Sequence, residues 1–111
     1  MNHFELRQGE YILKTANGDC WETPYVHFQI PGQYTFTNQR ILFRESGIFK
    51  KLCLEFELPY SEIDSIEPYL VVFFPTGIRV WMKNGDRYRL SLRGRKQYMD
   101  IIEKYQKVGG N

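Results

Sequence analysis

Apolar and polar residues alternate along most of this chain, and the alternation gives way to a helical period only once, near the C-terminus. Tyr98, Ile101, Ile102 and Tyr105 fall at i, i+3, i+4 and i+7, one stripe of an amphipathic helix. Everything before Gly94 reads as short strands and turns. Composition agrees: the chain has one alanine, Ala16, against eight Tyr and eight Phe, and aromatic side chains suit a pleated surface better than a helix. A helix of about three turns cannot bury its stripe alone, so it must cover the strands, most simply by plugging the open end of a barrel. The expectation is one domain over 1–111, with the helix at about 95–107 and a frayed tail at 108–111.

The strands can be followed in turn. Glu10 to Ala16 reads as a first strand ended by Asn17-Gly18-Asp19, Trp21 to Ile30 as a looser extended segment, and Pro31-Gly32 as a turn. Tyr34, Phe36, Ile41 and Phe43 alternate with polar residues across Asn38-Gln39, which predicts two strands, Gln33–Thr37 and Arg40–Arg44. Glu45 to Lys51 reads as a loop. Leu54, Phe56 and Leu58 mark a half-buried strand, and Pro59 to Glu62 bends the chain into another, from Ile63 to about Tyr69. The last hairpin has two conceivable registers. A two-residue Asn84-Gly85 turn mixes apolar and charged side chains on each face. A three-residue loop, Lys83-Asn84-Gly85 with Gly85 at positive φ, pairs Val80 with Tyr88 and Ile78 with Leu90 and leaves one face apolar. The three-residue loop is therefore predicted.

Charge is unevenly distributed. Residues 79–111 carry nine basic and three acidic side chains, net +6, whereas residues 1–78 carry six and ten, net −4. The total of +2 is too small to argue for nucleic acid, which is not an expected partner. Cys20 and Cys53 form no CxxC pair, and His3 and His27 are the only histidines, so no metal site of several histidines can be built. Both thiols are expected to be reduced, in a cytoplasmic protein. No apolar run approaches the ~20 residues that span a bilayer, and MNHFELRQGE lacks the apolar stretch of a signal peptide.

Three segments carry a resemblance to a known family: GQYTFTNQRILF, with Thr37-Asn38-Gln39-Arg40 as its most specific element; LPYSEIDSIE; and PTGIRVWMKNGDRYRLSL followed by the helix. With QGEYIL near the start, they resemble the GRAM branch of pleckstrin-homology-like domains and its small single-domain bacterial relatives. The resemblance implies a mainly β fold, a barrel of about seven antiparallel strands capped by one C-terminal helix. It also implies a non-enzymatic adaptor that binds proteins or membrane phospholipids, with no cofactor. The chain departs from lipid-binding versions in having only Lys14 as a basic residue between Leu13 and Glu22.

Candidate sites follow from the pattern. Arg79, Trp81, Arg87 and Arg89 should share the outer face of the last hairpin, where guanidinium groups can stack on the indole and dock an anionic or aromatic partner. Ile48, Phe49, Lys50 and Lys51 combine apolar and cationic side chains, a composition suited to shallow contact with an anionic membrane. The run Leu70 to Phe74 cannot point inward throughout. If it is one strand, Leu70, Val72 and Phe74 face one way and Val71 and Phe73 the other, so Val71, Val72, Phe73 and Phe74 together are the candidate interface with a partner or a second copy, a homodimer being the simplest. Thr37, Asn38 and Arg40 read as turn chemistry. Ser61, Asp64 and Ser65 lie close together in sequence but no histidine is placed to activate a nucleophile, so no catalytic residues and no metal ligands are assigned.

Overall fold

The computed structural model describes residues 5–46 and 54–109, with side chains as far as Lys107. Its strands are β1 (Ile12–Glu22), β2 (Ile30–Thr37), β3 (Arg40–Glu45), β4 (Glu55–Pro59), β5 (Ile63–Val71), β6 (Phe74–Met82) and β7 (Arg87–Ser91), followed by the helix α1 (Arg95–Gly109). All pairings are antiparallel, in one sheet of order β4-β3-β2-β1-β7-β6-β5. β4 and β5 are the two edges; a single 3₁₀ turn, Tyr60–Glu62, carries the chain from one to the other. The sheet curls around its apolar face without closing by hydrogen bonds.

α1 covers the open end. Tyr98 and Ile102 are buried, Tyr98 stacks near Phe36 at 4.8 Å between ring centroids, and Tyr105 stacks on Tyr60 at 5.8 Å. Gln106 Nε2 donates to the carbonyls of Ile63 and Asp64, tying the last turns of the helix to the start of β5. The helix reaches Gly109, so the tail expected to fray from 108 is helical for two residues more.

The last hairpin adopts the three-residue loop. Val80 faces Tyr88, Ile78 faces Leu90, Met82 N donates to Asp86 O at 2.8 Å, and Gly85 has φ +97°. Two expected turns are not turns. Asn17-Gly18-Asp19 and Pro31-Gly32 both lie inside strands, and Gly18 pairs with Gly32. A side chain on Gly18 would collide with the Ser91 carbonyl, and one on Gly32 with the Phe43 ring. These glycines allow close approach where the sheet bends, a tertiary demand that local turn statistics do not register.

The run from Leu70 to Phe74 is not one strand. β5 ends at Val71, β6 begins at Phe74, and Val72-Phe73 form the two-residue tip of a hairpin in which Val71 pairs with Phe74. The expected two-faced strand fails for this reason: the chain reverses in the middle of it. Val72 sits at φ +59°, a conformation that disfavours a β-branched residue by roughly 1–2 kcal/mol. Pro75 lies inside a strand, as the second residue of β6.

Candidate binding surface

Cross-strand register builds the first candidate site. Trp81 on β6 lies opposite Arg87 on β7, and Arg79 opposite Arg89, so all four expected residues share one outer face. Arg87 stands over the Trp81 indole, guanidinium carbon to ring centroid 5.4 Å. The face also contains carboxylates the sequence did not point to. Glu22, at the end of β1, accepts from Arg87 at 3.1 Å and has Oε1 3.0 Å from Arg89 Nε, and Glu67 on β5 pairs with Arg79. Glu22 comes in because β1 pairs with β7, a contact across more than sixty residues with no local signature. Three guanidinium groups thus meet two carboxylates, and the face keeps a net positive charge.

Beside Arg79 and Arg89 lies Tyr69, whose ring spans Gly77 on the neighbouring strand, with the guanidinium carbons 5.2 and 5.9 Å from its centroid. A side chain at position 77 would occupy the space of that ring. Trp21, Tyr69, Leu70, Val71, Val72, Arg79 and Arg89 line a shallow cleft of about 380 Å³. Two buried side-chain atoms of this cleft, Trp21 Nε1 and Tyr69 Oη, lack a hydrogen-bond partner among the described residues, and Arg89 Nε meets Glu22 only as an ion pair, without hydrogen-bond geometry. Burial first, offset by the two arginines, pushes the Tyr69 hydroxyl upward from its usual range.

The second candidate, the 70–74 segment, is the tip of the β5–β6 hairpin, and it is uncovered. Leu70, Val72, Phe73 and Phe74 are 61%, 70%, 86% and 65% exposed. The third, Ile48, Phe49, Lys50 and Lys51, lies outside the described residues, as does Cys53. The loop joining β1 to β2 runs from 23 to 29, later in the chain than expected, and it contains no Lys or Arg. His27 there lies 3.4 Å from Glu22, and Tyr25 and Phe28 are exposed.

The Thr37-Asn38-Gln39-Arg40 element is a staple. Thr37 Oγ1 accepts from the amides of Gln39 and Arg40 and donates to Glu10 Oε2. Asn38 bonds the Tyr11 amide and the Gly9 carbonyl, and Gln39 bonds the Gln8 carbonyl. Arg40 holds Glu10, Glu57 and the Glu5 carbonyl. Every side chain of the motif therefore fastens the segment before β1 to the turn between β2 and β3, or shapes that turn. Ser61, Asp64 and Ser65 are exposed, and His27 is committed to another part of the surface. Cys20 is free and buried, and burial pushes its thiol up to about 12, which leaves it inert. Among the described residues no helix is long and apolar enough to cross a membrane.

Solved structures share this arrangement. The Vps36 N-terminal PH domain matches with a TM-score of 0.70 at 14% identity, over 93% of this chain and 83% of that one. The fold is pleckstrin-homology-like. The C-terminal domain of an unknown protein from Leishmania infantum matches this PH-like domain with a TM-score of 0.68 at 22% identity, over 88% and 86% of the two chains. The linker-DH/PH domains of p115-RhoGEF match with a TM-score of 0.64 at 11% identity, over 89% of this chain and 30% of that longer one. No protein-family model and no functionally curated protein matches the sequence. A fold of this kind does not by itself fix a function, which has to be argued from the residues on its surface.

Proposed function

We infer that this PH-like domain is a non-enzymatic binding module of the GRAM branch that acts through protein contacts, using the outer face of β6 and β7. The observation that carries the reading is the packing of Arg87 over Trp81 beside Arg79 and Arg89. Tryptophan and arginine are the residues most enriched at the energetic centres of interfaces. Here they stand on two adjacent strands, a rigid support, and the net positive charge favours a partner segment carrying carboxylates. Glu22 and Glu67 pre-organise the guanidinium groups and can yield them to a stronger acceptor. The buried, free Cys20 supports a reducing, cytoplasmic setting.

The experiment is affinity capture from a cell extract with the wild-type domain and with a Trp81→Ala, Arg87→Glu variant shown to be folded by circular dichroism. The reading expects proteins retained by the wild type and released by the variant. Retention of the same set by both would count against it. A second copy of the chain belongs to the same class of partner, and light scattering on the purified domain decides whether it is one.

A further inference from the structure

The β5–β6 tip breaks two rules at the same place. Hairpins with two-residue tips take Asn, Asp or Gly there, because the turn requires positive φ. The β6–β7 turn of this protein, a three-residue loop, meets its own need for positive φ with a glycine, Gly85 at +97°. The β5–β6 tip instead places Val72 at φ +59° and follows it with Phe73. Leu70, Val72, Phe73 and Phe74, the same short stretch, make up four of the nine large apolar side chains exposed among the described residues. Backbone strain and apolar exposure therefore coincide, and neither serves the core.

The hairpin also projects. β7 ends at Ser91, opposite Gly77, and Leu92 N reaches Thr76 O, after which β6 has no strand neighbour on that side among the described residues. Two residues of each strand, Leu70 and Val71 on β5 and Phe74 and Pro75 on β6, stand beyond with the Val72-Phe73 tip above them, about 7 Å of strand at ~3.3 Å per residue and the turn besides. That matches the ~5–10 Å by which interfacial elements enter a bilayer. At the base lies a cationic collar. Arg93 is exposed and its side chain has no ion-pair partner among the described residues, Arg95 donates to the carbonyls of Tyr69 and Gly77, and Lys96 is exposed, 3.4 Å from the exposed Asp100. No acidic residue occurs between Asp86 and Asp100.

We propose that the β5–β6 hairpin tip inserts into the surface of an anionic membrane, with Val72, Phe73 and Phe74 entering the acyl boundary and Arg93 and Lys96 lying at the phosphates. A second copy of the chain fits the tip less well. Four side chains offer on the order of 500 Å² at 150–250 Å² per aromatic, on a narrow projection, whereas a stable dimer needs ~800 Å² from each partner. Val72 borders the cleft that Arg79 and Arg89 line, but Trp81 and Arg87 lie outside it, so substitutions there and at the tip tell the two surfaces apart.

The test is co-sedimentation of the full chain with phosphatidylcholine vesicles, with and without phosphatidylserine. The wild type should pellet with the anionic vesicles, less at high salt. Phe73→Ser should weaken binding roughly ten-fold or more without lowering the melting temperature. Val72→Gly supplies a second, opposite signature: relief of the positive-φ strain should raise the melting temperature while vesicle binding falls. Arg93→Glu should weaken binding to anionic vesicles only. The Trp81→Ala, Arg87→Glu variant should bind vesicles as the wild type does, which separates this inference from the protein-binding reading. Wild-type protein left in the supernatant at low salt overturns the proposal, as does full binding by Phe73→Ser and Val72→Gly. So does a wild-type dimer that ignores vesicles and is split by Phe73→Ser, since the tip would then join two copies.

Discussion

Arg40 grips Glu10 through two hydrogen bonds, Nε to Oε2 at 2.9 Å and Nη2 to Oε1 at 3.0 Å, with both side chains buried. Burial alone would raise the Glu10 carboxyl. The bonds from Arg40, the Arg7 amide and Thr37, with the charge of Arg40, outweigh it and hold the group down at about 2. The pair locks the segment before β1 onto the β2–β3 turn.

Acid should release that lock. A carboxyl held near 2 against an ordinary 4.5 contributes stability that is full above the ordinary value and is lost as pH falls through the folded one. Thermal melts between pH 5 and pH 2 should show a loss of about 3 kcal/mol from this group, and Glu10→Gln should flatten that part of the profile. An unchanged slope in Glu10→Gln would mean that other carboxylates govern the acid limb.

Arg40→Ala should be worse than Glu10→Gln. It strands a buried carboxylate, a change that costs roughly 3–5 kcal/mol, whereas in Glu10→Gln the buried Arg40 guanidinium keeps Glu57 and the Glu5 carbonyl as partners. In the double variant the losses should not add, because the two residues act as one unit. Urea melts of the two single variants and the double variant supply the comparison.

Gly32→Ala should destabilise the fold strongly. Its new methyl would meet the Phe43 ring and the Arg44 carbonyl, and overpacking of this kind costs roughly 1–3 kcal/mol. Gly85→Ala has open space around it but keeps φ +97°, so it should cost less. Chemical denaturation of both variants measures the difference; a larger loss at Gly85 would count against the close-approach account.

The same two glycines show where sequence reading stops. Gly85 was legible because its turn is local and the alternation on either side fixes the register. Gly18 was not: Asn17-Gly18-Asp19 has the composition of a turn, and only the pairing with Gly32 and the carbonyl of Ser91 explains its place inside β1. The helix stripe was legible at Tyr98 and Ile102 for the same local reason. Of the binding face, Arg79, Trp81, Arg87 and Arg89 could be placed together from one hairpin, whereas Glu22 arrives through a long-range ladder. The 70–74 tip was misread because Val72-Phe73 carries no turn residue, and nothing in the local pattern announces a reversal there.

The helix should be integral to folding. Ile102 is fully buried against the barrel mouth, and Ile102→Ala should cost roughly 2–5 kcal/mol. Truncation before Arg95 should abolish cooperative unfolding, because the stripe and the barrel mouth are exposed together. A truncated chain with a sharp calorimetric transition would make the helix an appendage instead.

The binding face is tested most directly through its indole. The chain has two tryptophans, Trp21 and Trp81, so a ¹⁵N spectrum contains two side-chain indole signals, assignable with single Trp→Phe variants. Titration with an oligoglutamate peptide at low salt should shift the Trp81 indole and the amides of Arg79, Arg87 and Arg89, leave α1 unmoved, and reverse on adding salt. An unmoved Trp81 signal at saturating peptide, or shifts concentrated elsewhere on the domain, would contradict the account.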